Sequence, residues 1–199
     1  MVQTRVKRDC QGVSSCVSLA LHAASRAMHR FVPHFRVVSR GVLYRSGQPR
    51  GIGLHWARFH GIRTLVNLRS PTSSGTAEEA AFAERHGIQF RNIHVGIKRN
   101  RIAESVAEFL SVIRDPSNFP VLVHCSRGKE RSGVMSAIYR IERDGWDNHR
   151  ALEEMYQLGV SPGSIPVAED FVRSYRSGAD FRHCSIVPCA TDRAVAWQE

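Results

Sequence analysis

No acidic residue occurs between Asp9 and Glu78, and that gap dominates the charge distribution. Residues 1–77 carry 12 Lys/Arg against one Asp, while the remainder carries 16 against 17, so the whole net charge of +10 sits in the N-terminal part. Such a block can mark contact with nucleic acid or an anionic membrane surface. No zinc-finger spacing and no aromatic RNA-binding signature accompanies it, and no nucleic-acid partner is expected. Long apolar runs are missing too: no window holds the roughly 18 uninterrupted apolar residues of a membrane span. Cysteine is sparse. The five (Cys10, Cys16, Cys125, Cys184 and Cys189) are an odd count that does not read as a disulfide framework. Cys10–Cys16 and Cys184–Cys189 are close enough in sequence to pair, but free thiols are the better reading. The ten histidines form no HExxH, and no second Cys/His pair complements His183-Cys184 at ligand spacing. No metal and no other cofactor is expected.

What is present suits one domain with a full core and extensions. Residues 1–34 form a basic leader, partly ordered or targeting. Arg5, Lys7 and Arg8 precede a modestly apolar stretch, and Val17, Leu21, Ala24, Met28 and Phe31 fall on one helical stripe. That stripe could lie on the domain or on a membrane surface. As a secretory signal its apolar region is diluted by Ser, Cys and His, and its cleavage site is poor. A cytoplasmic location is therefore expected, with export to a periplasm or membrane association through the leader as the alternative.

Residues 35–176 are more regular. VLYRSG, TLVNLR, FRNIHV and VLVHC read as short strands. Helices are expected over residues 54–59, over EEAAFAERHG up to Gly87, and over 103–113, where Asp115-Pro116 stops the third. SGVMSAIYRIER is a helix ended by Gly145, Asp147 caps another that runs to Leu158, and VAEDFVRSY begins a last one. Strands alternating with helices imply a single α/β domain whose central, largely parallel sheet has four to five strands flanked by helices. Residues 177–199 read as an irregular C-terminal tail.

The stretch VLVHCSRGKERSGV (residues 121–134) carries the chemistry. It runs from a buried-type strand through a tight turn into a helix expected to begin near Arg131. Backbone N–H groups in such a turn converge, and the helix N-terminus adds positive potential. Both favour an anion in the concavity and a thiolate on Cys125. Arg131, six residues on, can grip two oxygens of a phosphoryl group bidentately, which lysine could not. Gly128 admits positive φ and a close approach of backbone to ligand. Ser132 can donate to the sulfur, and His124 can order the loop through its ring N–H. Ser126, Arg127, Gly128, Lys129, Glu130 and Arg131 make up the expected phosphate-binding loop. Of the five cysteines only Cys125 has an arginine six positions later.

HCSRGKERSG resembles the HCxxGxxR[ST]G signature of the cysteine-dependent protein tyrosine phosphatase superfamily, in its dual-specificity branch. The resemblance covers roughly residues 35–175. FRVVSRGVLYRSGQP and GIRTLVNLR resemble the entry strands of small bacterial, plant and fungal dual-specificity-like phosphatases. YRIERDGWDNHRALEEM is similar to the helices after the phosphate loop in secreted bacterial tyrosine phosphatases. DPSNFPVLVHCSRGKERSG is also similar to the plant and fungal atypical branch that cleaves inositol pyrophosphates. The resemblance implies that Cys125 is the nucleophile, that Arg131 binds the phosphoryl group, that Ser132 assists breakdown of a phosphocysteine intermediate, and that no metal takes part.

One feature departs from the family pattern. The family usually draws a general-acid Asp from a loop upstream of the cysteine, and here GIKRNRIAE occupies that place without one. Asn100 aligns best with the acid and cannot serve as a proton donor. Glu104 falls in the following helix, and Glu130, inside the loop, is the alternative acid. An equally strong reading of Glu130 is a solvated charge paired with Lys129 or Arg127. General acid catalysis contributes about 10²–10⁴-fold. Without it a phenolate, with a pKa of about 10, departs better than a serine alkoxide, and a phosphoanhydride departs better still. The expected partner is thus a phosphorylated protein, phosphotyrosine first, or an inositol phosphate or pyrophosphate suited to cationic Arg127 and Lys129. A weakly active phosphate-binding module is the further alternative.

Overall fold

Four-residue strands organise the molecule, and the middle one has no exposed residue. The computed structural model describes residues 30–96 and 102–178. Its strands are β1 (Arg36–Ser39), β2 (Leu43–Ser46), β3 (Thr64–Asn67), β4 (Gln89–Asn92) and β5 (Val121–His124). Its helices are α1 (Ile52–Phe59), α2 (Thr76–Arg85), α3 (Ile102–Arg114), α4 (Glu130–Asp144), α5 (Asn148–Gln157) and α6 (Pro166–Ser174), with a 3₁₀ turn at Pro116–Asn118. The sheet order is β1-β2-β5-β3-β4, with β1 antiparallel to β2 and every other pairing parallel. This is the α/β class implied by the strand–helix alternation. Of the five strands, β1 is the one the hydrophobic pattern does not mark: Val38 is its sole buried residue, so it carries no apolar run.

Parallel strands covered on both faces should be apolar throughout, and β5, with all four residues buried, fits that rule over Val121 to Val123, with buried His124 the exception. Its alternation divides two cores. Val121 and Val123 pack with residues of α3, α4, α5 and α6, while Leu122 packs with Leu54 and Ala57 of α1 and Phe82 and Ala83 of α2. The same parity governs the neighbours. Leu43 and Val66 belong to the first core, Tyr44 and Leu65 to the second. Register then aligns Arg45 with Val123, and both Ser46 and Asn67 with His124, at the carboxyl ends of the parallel strands. In open α/β sheets ligands bind beyond those ends.

The helix boundaries follow local chemistry. Proline after Asp115 ends α3, and the Asp115 carboxylate accepts from the Ser117 N–H. Gly145, at φ 67°, ends α4 in the left-handed region. The carboxylate of Asp147 caps α5 by accepting from the Arg150 N–H at 2.8 Å. Beyond α6, buried Glu142 accepts from the Tyr175 hydroxyl at 2.6 Å, from the Ser177 hydroxyl and from the Gly178 N–H, which ties the start of the tail to α4. Burial and that carboxylate both push the Tyr175 hydroxyl well above its usual range. The leader stripe over Val17, Leu21, Ala24 and Met28, and Cys10, Cys16, Cys184 and Cys189, lie outside the described residues. Among the described residues no helix is long and apolar enough to cross a membrane.

Replacing Asp147 by alanine should remove one N-cap bond and cost about 1 kcal/mol. In a chain of this size that corresponds to a Tm lower by roughly 2–4 °C. Thermal unfolding of Asp147→Ala beside the parent protein measures it.

Candidate active site

The turn between β5 and α4 begins where strand parity splits. His124 follows Leu122 onto the α1/α2 face, and Cys125 turns to the α4 face, where it is 2% exposed. Ser126 and Arg127 are exposed, Gly128 is buried, and α4 starts at Glu130, one residue before the expected Arg131. Lys129 stands at the N-cap without a side-chain cap bond, so no side chain competes for the first amides of α4.

The Gly128 N–H donates to Cys125 Sγ at 3.2 Å, and Ser132 Oγ lies 3.7 Å from the same sulfur. The sulfur thus has one backbone donor and one hydroxyl beside it. Gly128, at φ 76°, rides against β2: a Cβ there would sit 2.4 Å from the Gly47 nitrogen and 2.6 Å from the Ser46 carbonyl carbon. Gly47 faces it in turn, with Arg127 and Ser126 backbone 3.1 Å from where its own Cβ would be. Two glycines in contact therefore let the turn press on the end of β2. The Cys125 N–H donates to the Ser46 carbonyl, and the Gln48 N–H to the Ser126 carbonyl.

Arg131 is partly buried, and its Nε donates to the Val95 carbonyl at 3.1 Å, which leaves the two Nη groups as the fork. Lys129 runs past Gly159, where a Cβ would lie 3.3 Å from Lys129 Cε. The α5–α6 loop holding Gly159 is ordered by buried Glu169, which accepts from the Gly163 N–H and the Tyr156 hydroxyl, each at 2.9 Å.

His124 is wired differently from the expectation. Its Nε2–H donates to Glu79 Oε1 at 2.6 Å, while Nδ1 approaches the Cys125 carbonyl only at 3.5 Å. The ring N–H thus serves a buried carboxylate on α2, because parity turns His124 away from the loop. Glu79 is 1% exposed and also accepts from Gln48 Nε2 and Asn67 Nδ2, both at 2.9 Å. Gln48 Oε1 in turn accepts from Arg69 Nη1 at 2.6 Å.

The acid candidates are scattered. Glu130 forms an ion pair with exposed Arg127, and Glu104 lies exposed in the first turn of α3. Asn100 lies outside the described residues. Among those described, no group of His, Cys, Asp and Glu side chains could hold a metal ion. Glu79, Gln48 and buried Arg45 did not emerge from the motif. For Arg45 and Glu79 the signal was a polar residue at a position that strand or helix periodicity assigns to the interior, as in VLYRS; Gln48, in the loop after β2, offered none.

The family model described as DSP-PTPase phosphatase fused to NAD+ kinase matches residues 28–174. Dual specificity protein phosphatase TpbA of Pseudomonas aeruginosa (strain UCBPP-PA14) is 42% identical over 175 residues, covering 80% of this chain and 73% of TpbA. Inositol diphosphatase DSP4 of Arabidopsis thaliana is 31% identical over 144 residues, covering 68% of this chain and 69% of that protein. The solved catalytic core of the PP-IP phosphatase SIW14 from S. cerevisiae superposes with a TM-score of 0.62, covering 72% of this chain and 85% of that one. At 22% identity this last likeness is one of fold.

A Gly128→Ala substitution should force the turn off β2, since the obstructing atoms are backbone and cannot rotate away. Displacing the turn by an ångström should weaken orthovanadate binding and turnover on the order of 10²-fold, with a lower Tm. Calorimetric titration with orthovanadate and thermal unfolding check both.

Proposed function

The chain belongs to the DSP-PTPase family and is a cysteine-dependent phosphatase, and we propose that it works through Cys125 as nucleophile on phosphotyrosine-type substrates. The observation that carries this assignment is one buried sulfur that accepts from the Gly128 N–H and lies beside Ser132 Oγ at the uncapped start of α4. In the first step Cys125 Sγ attacks phosphorus in line. An S–P bond forms as the P–O bond to the leaving group breaks, and that oxygen departs with the electron pair. The loop amides and the Arg131 fork hold the equatorial oxygens, whose charge is best met by preorganised donors. In the second step water attacks phosphorus: a P–O bond forms as the S–P bond breaks, the electron pair returns to Cys125 Sγ, and inorganic phosphate leaves with the water's proton on a phosphate oxygen or passed to solvent. The Ser132 hydroxyl hydrogen-bonds the departing sulfur.

The leaving group is selected by the weakness of the acid. Residues 93–101 contain no carboxylate, and Glu130 is engaged with Arg127. An oxygen that leaves as a stable anion is therefore favoured, which ranks an aryl phosphate above phosphoserine. The name of TpbA supports the phosphoprotein reading. A second reading, an inositol pyrophosphate, is favoured by exposed Arg127 and by Lys129 beside Gly159, and by the activity named for DSP4. An anhydride needs the acid least of all. The leader's diluted apolar stretch supports action in the cytoplasm over export.

Cys125→Ser should abolish hydrolysis while orthophosphate still binds, because the amides and Arg131 remain. Retained turnover in that variant would remove Cys125 as nucleophile. Phosphate release from p-nitrophenyl phosphate, a phosphotyrosine peptide, a phosphoserine peptide and an inositol pyrophosphate, run in parallel, ranks the substrates. The expected order places the phosphotyrosine peptide far above the phosphoserine peptide.

Glu130→Gln tests the acid. If the carboxylate only orders the loop through Arg127, the variant should slow good and poor leaving groups alike. A loss confined to poor leaving groups, with a weakened basic limb in the pH–rate profile, would make Glu130 the proton donor.

A further inference from the structure

Arg45 sits in the middle of β2, 1% exposed, on the face of the sheet that carries Cys125 and α4. Burying a guanidinium is costly unless an anion and further hydrogen bonds compensate. Here the compensation is thin. Arg45 forms no ion pair with a carboxylate among the described residues, and Nε and Nη1 have no hydrogen-bond partner. Its one engaged nitrogen, Nη2, donates to the Gly128 carbonyl at 3.0 Å and to the Lys129 carbonyl at 3.5 Å. The head group lies beside Gly133 in the first turn of α4, where a Cβ would be at 3.9 Å from Nη1. Burial lowers the pKa of Arg45 to about 10, opposed by the nearby Cys125 and Glu154, so the side chain is still a cation at neutral pH.

A fold that needed only volume at this position would do better with methionine. The two carbonyls show what the cation accomplishes. In a planar trans peptide the C=O and the following N–H point in opposite directions. Holding the Gly128 and Lys129 carbonyls from beneath therefore directs the N–H groups of Lys129 and Glu130 the other way, toward the concavity that opens above Cys125. A peptide flip at either bond would replace a donor to the bound anion with a repelling carbonyl.

We propose that Arg45 is a positioning residue for the phosphatase reaction, clamping the Gly128 and Lys129 carbonyls so that the loop amides face the phosphoryl group, with its charge placed behind Cys125 Sγ. It touches no substrate. The inference rests on the reading of residues 125–131 as the phosphate-binding loop.

The full chain is compared with Arg45→Met and Arg45→Lys for kcat and KM on p-nitrophenyl phosphate, for orthovanadate affinity, and for Tm. Methionine removes both the charge and the donors, so kcat and orthovanadate affinity should each fall on the order of 10²-fold, with KM changing far less. Lysine keeps the charge and can reach one carbonyl, so it should restore part of both, leaving a deficit of roughly ten-fold. A folded Arg45→Met with parental kcat and orthovanadate affinity overturns the proposal. So does a loss in either variant that disappears once activity is referred to the folded fraction. Should Arg45→Met fail to fold, Arg45→Lys decides, and parental kcat in it overturns the clamp. Turnover by Cys125→Ser would discard the loop reading itself. An inactive Cys125→Ser beside a fully active Arg45→Lys would discard only the role of Arg45.

Discussion

A ring of backbone amides can face an anion only if the carbonyls of the same peptides are bound elsewhere, and the turn after β5 is built around that requirement. The Ser126 carbonyl receives the Gln48 N–H, and the Gly128 carbonyl receives Arg45 Nη2. The Lys129 carbonyl takes the Gly133 N–H as the first bond of α4, with Arg45 beside it. Two of these three partners, Arg45 and Gln48, belong to β2 or the residues just after it. That explains why the turn lies so close to β2, and why the two residues in contact there, Gly47 and Gly128, have no side chains. Orphaned polar groups are costly in a buried setting, so each carbonyl secured beneath the turn also resists a flipped alternative.

Beneath the turn two buried ionic groups lie on opposite faces of the sheet. Glu79 gathers His124, Asn67 and Gln48 on the α1/α2 side, while Arg45 holds carbonyls on the α4 side. Glu79 is well compensated, with three donors from three segments. Arg45 is poorly compensated, with two nitrogens that have no partner among the described residues. Buried polar groups are normally satisfied, so the contrast identifies Glu79 as structural bracing and Arg45 as a group retained for what it does to the turn. A polar layer across the carboxyl ends of β2, β5 and β3 is also what lets the loop be rigid without apolar packing of its own.

In the proposed reaction the same rigidity bears on substrate choice. A preset cradle stabilises the charge on the transferring phosphoryl group whatever the leaving group is. With Glu130 turned to Arg127, the difference between substrates falls on the stability of the departing anion. The cations above the turn are arranged unequally. Arg127 projects into solvent while paired with Glu130, and Lys129 is laid along the α5–α6 loop past Gly159.

The linear chain was enough to reveal the class of fold and the family signature of one loop. Alternating strands and helices, an apolar VLVH, and the spacing of Cys125, Gly128, Arg131 and Ser132 are all local features, set by residues within a few positions of each other. The helix ends at Asp115-Pro116, Gly145 and Asp147 were legible for the same reason. The partners of those groups were not. That His124 turns to Glu79 and that Arg45 lies under Gly128 depend on strand order and on the level at which each strand ends, whereas the Glu130–Arg127 pair spans three residues and was one of the readings of the loop. Arg45 and Gly128 are 83 residues apart in sequence. They meet because β2 and β5 are adjacent and in register, and because side-chain parity puts Arg45 on the Cys125 face. Sequence spacing cannot report strand adjacency, so tertiary structure alone decided which buried charge stands behind the sulfur.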